Sequence, residues 1–306
     1  FNLDSAEELE VLDRVAGEMG RRAPVSVRVI PDVDARTHPY FSTGLKENKF
    51  GVTVEEALQV YRRAAALPHV DVVGLDCHIG SQLTELDPFI AALQRLLTLV
   101  DRLADEGIAI EHLDLGGGLG VRYRDESPPS VADYIGAIRR EICGRELTLM
   151  FEPGRSICAN AGLLVTRVEY LKSTPGHHFA IVDAAMNDLL RPALYQAWLD
   201  IQPVAPHSRG QQAEWDVVGP VCETADFLGK QRRMSLAVGD HLAVFGAGAY
   251  GFTMSSNYNS RGRAAEIKVD DDRAHVVRQR ESIEDLLRLE RRLPGSAETS
   301  RGGSPA

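Results

Sequence analysis

No uninterrupted apolar run in this chain of 306 residues approaches the roughly 20 needed for a helix to cross a bilayer. A basic surplus is missing as well, since 34 Lys and Arg stand against 44 Asp and Glu, a formal net charge of -10. Nucleic acids and anionic membranes both attract a basic footprint, so neither is expected as a partner and a small molecule is. The first residues hold no basic segment leading into an apolar stretch and a cleavage site, which makes the cytoplasm the expected compartment. Cysteine is sparse too. Cys77, Cys143, Cys158 and Cys222 form no CxxC pair and read as mostly apolar or strand-like positions, so neither disulfides nor a structural metal are expected. What is present, 44% hydrophobic and 25% charged residues, suits one large globular domain or two smaller ones.

From residue 1 to 154 one pattern recurs: a short apolar strand, a polar loop, a helix start and an amphipathic helix, which implies parallel strands with crossover helices. Strands are predicted at Phe1 to Leu3, Val25 to Ile30, Val72 to Ile79, His112 to Leu115 and Leu147 to Phe151. Ser5 to Glu8 and Thr53 to Glu56 read as capping boxes, Asp87-Pro88 as an N-cap followed by proline, and Ser130 to Asp133 as a fourth capped start. Strand-like stretches then follow without regular helices: Leu163 to Leu171, Phe179 to Val182, Trp215 to Val221, His241 to Phe245, Ala264 to Val269 and His275 to Arg278. The fold class expected is an α/β barrel, TIM-like, with five of its eight strands in this chain, then a mainly antiparallel β domain. An open five-stranded sheet is the alternative. The expected domains are 1-158, a partial barrel; 159-293, the β domain; and 294-306, a disordered tail rich in Gly and Ser after an amphipathic helix over Ser282 to Arg292.

Chemistry-bearing residues cluster at the predicted strand ends. Glu152-Pro153-Gly154-Arg155 closes the fifth strand at its C-terminal end, the side on which β/α barrels place catalytic groups. Glu152 either binds a neighbouring Arg or keeps the pyridine nitrogen of a cofactor protonated. His78-Ile79-Gly80-Ser81 offers an imidazole able to stack on a flat cofactor and a hydroxyl for phosphate, against a purely structural His. Asp114 to Gly120 carries Gly116, Gly117 and Gly118, which form a tight turn or open backbone N–H groups to a phosphate. Arg191 and Tyr195, four apart, share a face if their segment is helical; they read as a surface pair or as binders of a substrate carboxylate. Cys222 beside Glu223 is a packed thiol or a proton donor next to an acid that reads an ammonium group. Tyr250 lies among small residues in a β turn or a phosphate clamp.

Taken jointly these segments resemble the alanine-racemase-like, fold type III pyridoxal-phosphate decarboxylases, in particular their diaminopimelate-specific branch. The likeness covers about residues 1 to 290. It rests on Thr37 to Tyr40 with Thr43 to Gly51, His78 to Gln82, Asp114 to Gly118, Glu152 to Arg155, Met186 to Tyr195, Gly219 to Glu223 and Gly248 to Asn259. The resemblance implies pyridoxal 5'-phosphate as cofactor and decarboxylation of meso-2,6-diaminopimelate to L-lysine. It implies that His78 stacks on the ring and Glu152 pairs with its nitrogen. Ser81, Gly117, Gly118, Pro153, Gly154, Arg155 and Tyr250 would line the phosphate, and Arg155, Arg191, Tyr195, Glu223 and Tyr250 would meet the substrate. Cys222, as proton donor, and Glu223 would enter the partner's site in a homodimer.

One departure stands out. Relatives carry a lysine at the end of the first barrel strand that holds the cofactor as an aldimine, whereas the lysines here are Lys46, Lys49, Lys172, Lys230 and Lys268, and none ends an early strand. The first strand of this chain corresponds to about the fourth of the barrel. The chain is therefore expected to be N-terminally incomplete, and alone to fold poorly and be inactive. Two alternatives are a noncatalytic, decarboxylase-like dimerisation partner and a sister decarboxylase for ornithine, arginine or an acylated amino acid. Glu152, Cys222, Glu223 and Arg191 together argue against the first of these, because a binding protein needs neither an electron-sink partner nor a proton donor.

Overall fold

A computed structural model of the protein describes residues 1–33, 49–206 and 210–293. The motif residues from Thr37 to Asn48, including Lys46, and the tail 294-306 lie outside the described residues. The chain divides into two units, the first formed by Phe1–Leu163, Trp198–Asp200 and Phe245–Ala249, the second by the remaining described residues.

In the first unit β1 (Asn2–Leu3), α1 (Ala6–Glu18), β2 (Ala23–Ile30), β3 (Val52–Thr53), α2 (Val54–Ala66), β4 (Val70–Asp76), α3 (Asp87–Asp105), β5 (His112–Asp114), α4 (Val131–Glu141), β6 (Thr148–Met150) and α5 (Gly154–Cys158) follow in order. The strands run parallel in the order β1-β2-β4-β5-β6, with β3 on β2. Each long strand thus pairs with the next one along the chain. That is the winding of a β/α barrel, whereas a doubly wound open sheet reverses direction at a switch point.

Burial explains the pattern. On β2, Val25 and Val27 are fully buried, and on α3 Leu93, Leu96, Leu99 and Leu103 recur at helical spacing and are buried in the same core as Leu75 and Leu113. Helix starts follow the caps with two corrections. Thr53 forms a full capping box with Glu56 and Ser130 caps α4 by accepting from Asp133 N–H, but Glu8 turns its carboxylate to Asp4 N–H instead of closing the box on Ser5. Asp87 is the first helical residue and Leu86 the cap, because Pro88 is accommodated anywhere in the first turn, where its missing N–H costs nothing.

The second unit contains β7 (Leu164–Thr174), β8 (His177–Val182), α6 (Arg191–Tyr195), β9 (Ile201–Pro203), β10 (Gln211–Val218), β11 (Phe227–Leu236), β12 (His241–Val244), β13 (Glu266–Asp270), β14 (Arg273–Arg278) and α7 (Ile283–Leu287). Its main sheet has the order β11-β10-β8-β7-β12-β9, antiparallel except for the β8–β10 pair, and β13 and β14 form a separate hairpin. Trp215 is fully buried with Nε1 donating to Met234 O at 3.1 Å.

Sequence reasoning misses β11, since Lys230-Gln231-Arg232-Arg233 interrupts its apolar pattern. The structure accommodates that run with a bulge: Gln231 takes φ 56, and the pairing jumps from Trp215↔Arg232 to Val217↔Gly229. It misses β9 as well, a three-residue strand ending on Pro203. The helix expected over Ser282 to Arg292 shrinks to the five residues of α7, capped by Ser282 and exposed except for half-buried Leu286, with no buried face to extend it. Of the cysteines only Cys77 is buried; Cys143, Cys158 and Cys222 are exposed, which corrects their apolar reading. No helix among the described residues is long and apolar enough to cross a membrane.

Candidate functional site

Register builds the site of the first unit. Arg28, Asp76, Asp114 and Met150 are partners across β2, β4, β5 and β6, so their side chains share one face of the sheet. The ladder continues past the strand ends: Cys77 N–H donates to Asp114 O (3.0 Å), Leu115 N–H to Met150 O (3.1 Å) and Glu152 N–H to Gly116 O (2.8 Å). His78, Gly116 and Glu152 therefore stand level with one another, two residues beyond the acidic row and at the C-terminal edge.

Asp76, Asp114 and Glu152 each bring a carboxylate oxygen within 4.8 Å of the others. Asp76 is 3% exposed, and its Oδ1 has no hydrogen-bond partner among the described residues; Asp114 Oδ1 accepts the Gly116 N–H at 2.9 Å. Burial, reinforced by Asp114 and Glu152, pushes the Asp76 carboxyl up to about 7. Desolvation and Asp114 also raise Glu152, with Arg28 opposing. Burial and the Arg28 charge pull His78 down to about 4, and its Nδ1 accepts the Gly117 N–H at 3.2 Å, so the ring is neutral at neutral pH.

The three glycines serve close packing of strand ends. A Cβ on Gly116 would lie 2.5 Å from Cys77 O, and one on Gly117 or Gly118 would collide with the carbonyls of Glu152 or Gly80; Gly116 and Gly118 also have φ of 63 and 106. The loops after β4 and β5 stay paired through Leu83 and Leu119, and Gln82 exchanges side-chain hydrogen bonds with Val121. Ser81 sits half-buried on the first of these loops. Beyond β6, Pro153 and Gly154 are exposed, and nothing lies within 4 Å of a Cβ built on Gly154. Arg155 is buried and donates to Tyr123 Oη at 2.8 Å.

In the second unit α6 is helical, so Arg191, buried, and Tyr195, half-buried, lie on one face. Cys222 and Glu223 are exposed in the turn after β10, and Tyr250 is exposed with φ 58. Asp226 organises this region. It is 3% exposed, its Oδ1 accepts Met186 N–H at 2.7 Å and its Oδ2 accepts Val221 N–H at 2.8 Å, which ties the approach to α6 to the Cys222 turn. Asn187 Oδ1 accepts from Arg261 Nε at 2.9 Å.

The structure thus brings His78, Gly117, Gly118 and Glu152 together in the first unit, with Arg155 one turn further on. Sequence reasoning passed over Asp76, Asp114, Tyr123 and Asp226 as site residues. The available signal was the spacing of two: Asp76 precedes His78 and Asp114 precedes Gly116 on the same face of their strands. The donor set fits a pyridoxal cofactor. An acidic row with one unpartnered buried oxygen suits a cationic ring nitrogen, a neutral imidazole suits a flat ring, and the open space at Gly154 leaves room beside the strand end.

Comparison with known proteins gives the same answer. The family described as "Pyridoxal-dependent decarboxylase, pyridoxal binding domain" matches residues 1–159. The chain is 66% identical to a diaminopimelate decarboxylase of Pseudomonas aeruginosa over 294 residues, 96% of this chain and 71% of that protein. It is 60% identical to one of Vibrio cholerae, over 96% of this chain and 70% of that protein. A crystal structure of diaminopimelate decarboxylase from Helicobacter pylori complexed with L-lysine superposes with a TM-score of 0.90 at 43% identity, covering 94% of this chain and 72% of that one. With both the acidic strand-end row and this extent of likeness in place, the chain belongs to the diaminopimelate decarboxylase family of pyridoxal-dependent decarboxylases.

Proposed function

We propose that this chain serves pyridoxal-phosphate-dependent decarboxylation of meso-diaminopimelate to L-lysine in the cytoplasm, with the cofactor-holding lysine that its own early strands do not carry supplied by the whole enzyme. The observation that carries the reading is Glu152, standing at the open end of a row of carboxylates beside the neutral ring of His78. Bound there, pyridoxal phosphate supplies an electron sink for the carbanion left by loss of CO2.

The protein's own residues do the rest. Glu152 would hold a proton on the ring nitrogen, since the negative field of Asp114 beside it favours a cation at that point. His78 would present an uncharged face to the ring. Ser81, Gly117, Gly118, Pro153, Gly154, Arg155 and Tyr250 would hold the phosphate. The Arg155, Arg191 and Tyr195 side chains, with Tyr250, would orient substrate carboxylates, and Glu223 would read the distal ammonium. Cys222 Sγ would return a proton to the carbon that loses CO2. Exposure of Cys222 and Glu223 in the single chain supports a homodimer in which they reach a partner's site.

The test is enzyme expressed from the gene's whole reading frame and offered meso-diaminopimelate, ornithine and arginine separately. Release of CO2 from diaminopimelate with formation of lysine is the expected result. Preference for either of the others overturns the substrate assignment.

A further inference from the structure

Asp76 and Asp114 have no task in the reading above, yet they form the buried floor of the row that ends on Glu152. Three carboxylates with oxygens within 4.8 Å of one another repel, which favours a proton held among them as in paired acids at close range. Among the described residues compensation is insufficient: Arg28 is the cation acting on the row, and it is shared with Asp4 at 3.9 Å. The Tyr61 hydroxyl, packed on the row from α2, is committed to Gly74 O and Val27 N–H. The Cys77 thiol is buried and its proton held more tightly than usual, the Tyr134 phenol on α4 likewise, and His78 is neutral. Asp76, more than nine-tenths buried with an Oδ1 that has no partner among the described residues, is the place where a proton would lodge.

We propose that Asp76 and Asp114 are positioning residues for Glu152: the three carboxylates share one proton, and a cationic ring nitrogen seated against Glu152 displaces that proton to solvent. The O–H bond of the shared carboxyl breaks, its electron pair stays on the carboxylate, and the proton passes to a buffer base. Nothing is oxidised or reduced. The positive nitrogen takes over the role of the proton in holding the acids together, so recognition of the ring is tied to its charge. This inference rests on the reading of Glu152 as the ring-nitrogen partner.

Infrared spectroscopy of the apoenzyme, expressed from the gene's whole reading frame, tests it, with carboxyl-13C aspartate to mark the Asp carboxyls. At about pH 6, where an ordinary Asp is ionised, the apoenzyme should show an isotope-shifted C=O band of a protonated acid that is lost in Asp76→Asn. Binding of 4-deoxypyridoxine 5'-phosphate, an analogue that needs no lysine, should remove the band. Calorimetry in two buffers of different ionisation heat should then show about one more proton released by the wild type than by Asp76→Asn. Absence of the band in the free enzyme overturns the proposal while leaving the role of Glu152 standing. A band that persists with the analogue bound overturns the displacement, whereas analogue affinity unchanged in Glu152→Gln is what would remove Glu152 as the nitrogen's partner. If the analogue does not bind, the band in the free enzyme decides for or against the shared proton; if Asp76→Asn fails to fold, loss of the band in Asp114→Asn assigns it to the row.

Discussion

Single residues at the strand ends announce themselves because function places polar chemistry where an apolar strand stops. Glu152 and His78 are legible in this way, and Cys222 stands out as a thiol next to an acid in a Gly-Pro turn. Asp76 and Asp114 are not, since each closes a short apolar strand and looks like the start of a loop; only pairing in register reveals that they are neighbours. At this scale the sharpest expectation concerns Cys222. If its thiol returns the proton, Cys222→Ala should lower kcat by roughly 10²- to 10⁴-fold, the usual worth of a positioned acid, with little change in cofactor affinity. Steady-state kinetics alongside a pyridoxal phosphate titration checks this; equal losses in both would assign the residue to structure.

Among the elements, helices with side-chain caps could be read from the sequence almost to the residue, because a cap is a local hydrogen bond that needs no tertiary partner. Thr53 and Ser130 are examples. The ten-residue strand β11 could not, since its charged middle is tolerated only through a bulge against β10. The turn from Gly219 to Asp226 shows how an element acquires its shape from one buried acid. Replacing Asp226 with Ala leaves the N–H groups of Met186 and Val221 without acceptors, at a cost of roughly 2–4 kcal/mol. Urea denaturation of Asp226→Ala should show this loss, and Asp226→Asn, which retains one acceptor oxygen, should lose less.

For the molecule as a whole, two buried groups set opposing pH slopes. His78 titrates near 4 in the fold against about 6.5 in an unfolded chain, so between those values the unfolded chain binds more protons and His78 makes stability rise with pH. Asp76 is held near 7 against about 3.9 when unfolded, so the folded chain binds more protons there and Asp76 makes stability fall as pH rises. In the wild type the two largely cancel between about pH 4 and 6.5. Asp76→Asn removes the falling slope, and its stability should gain on that of the wild type by up to about 1.4 kcal/mol per pH unit across this range, levelling off above about 7. Denaturant titrations at a series of pH values check it; parallel curves would mean that Asp76 is ionised in the fold. At the level of assembly, mixing Glu152→Gln chains with Cys222→Ala chains should restore about a quarter of wild-type activity if sites are shared across a two-fold axis, because half the dimers are mixed and each has one intact site. Activity that stays at the level of either variant would mean that each site is built within one chain.

The amino-acid sequence by itself determined the alternation of strand and helix, the capped helix starts, and the kinds of side chain waiting at the strand ends, because each depends on near neighbours along the chain. The tertiary structure alone decided that Arg28, Asp76, Asp114 and Glu152 act on one another, that the glycine run exists to let strand-end carbonyls approach, and that Asp226 shapes the Cys222 turn. Those facts depend on distances between segments remote in sequence, and such distances are set by sheet register and packing.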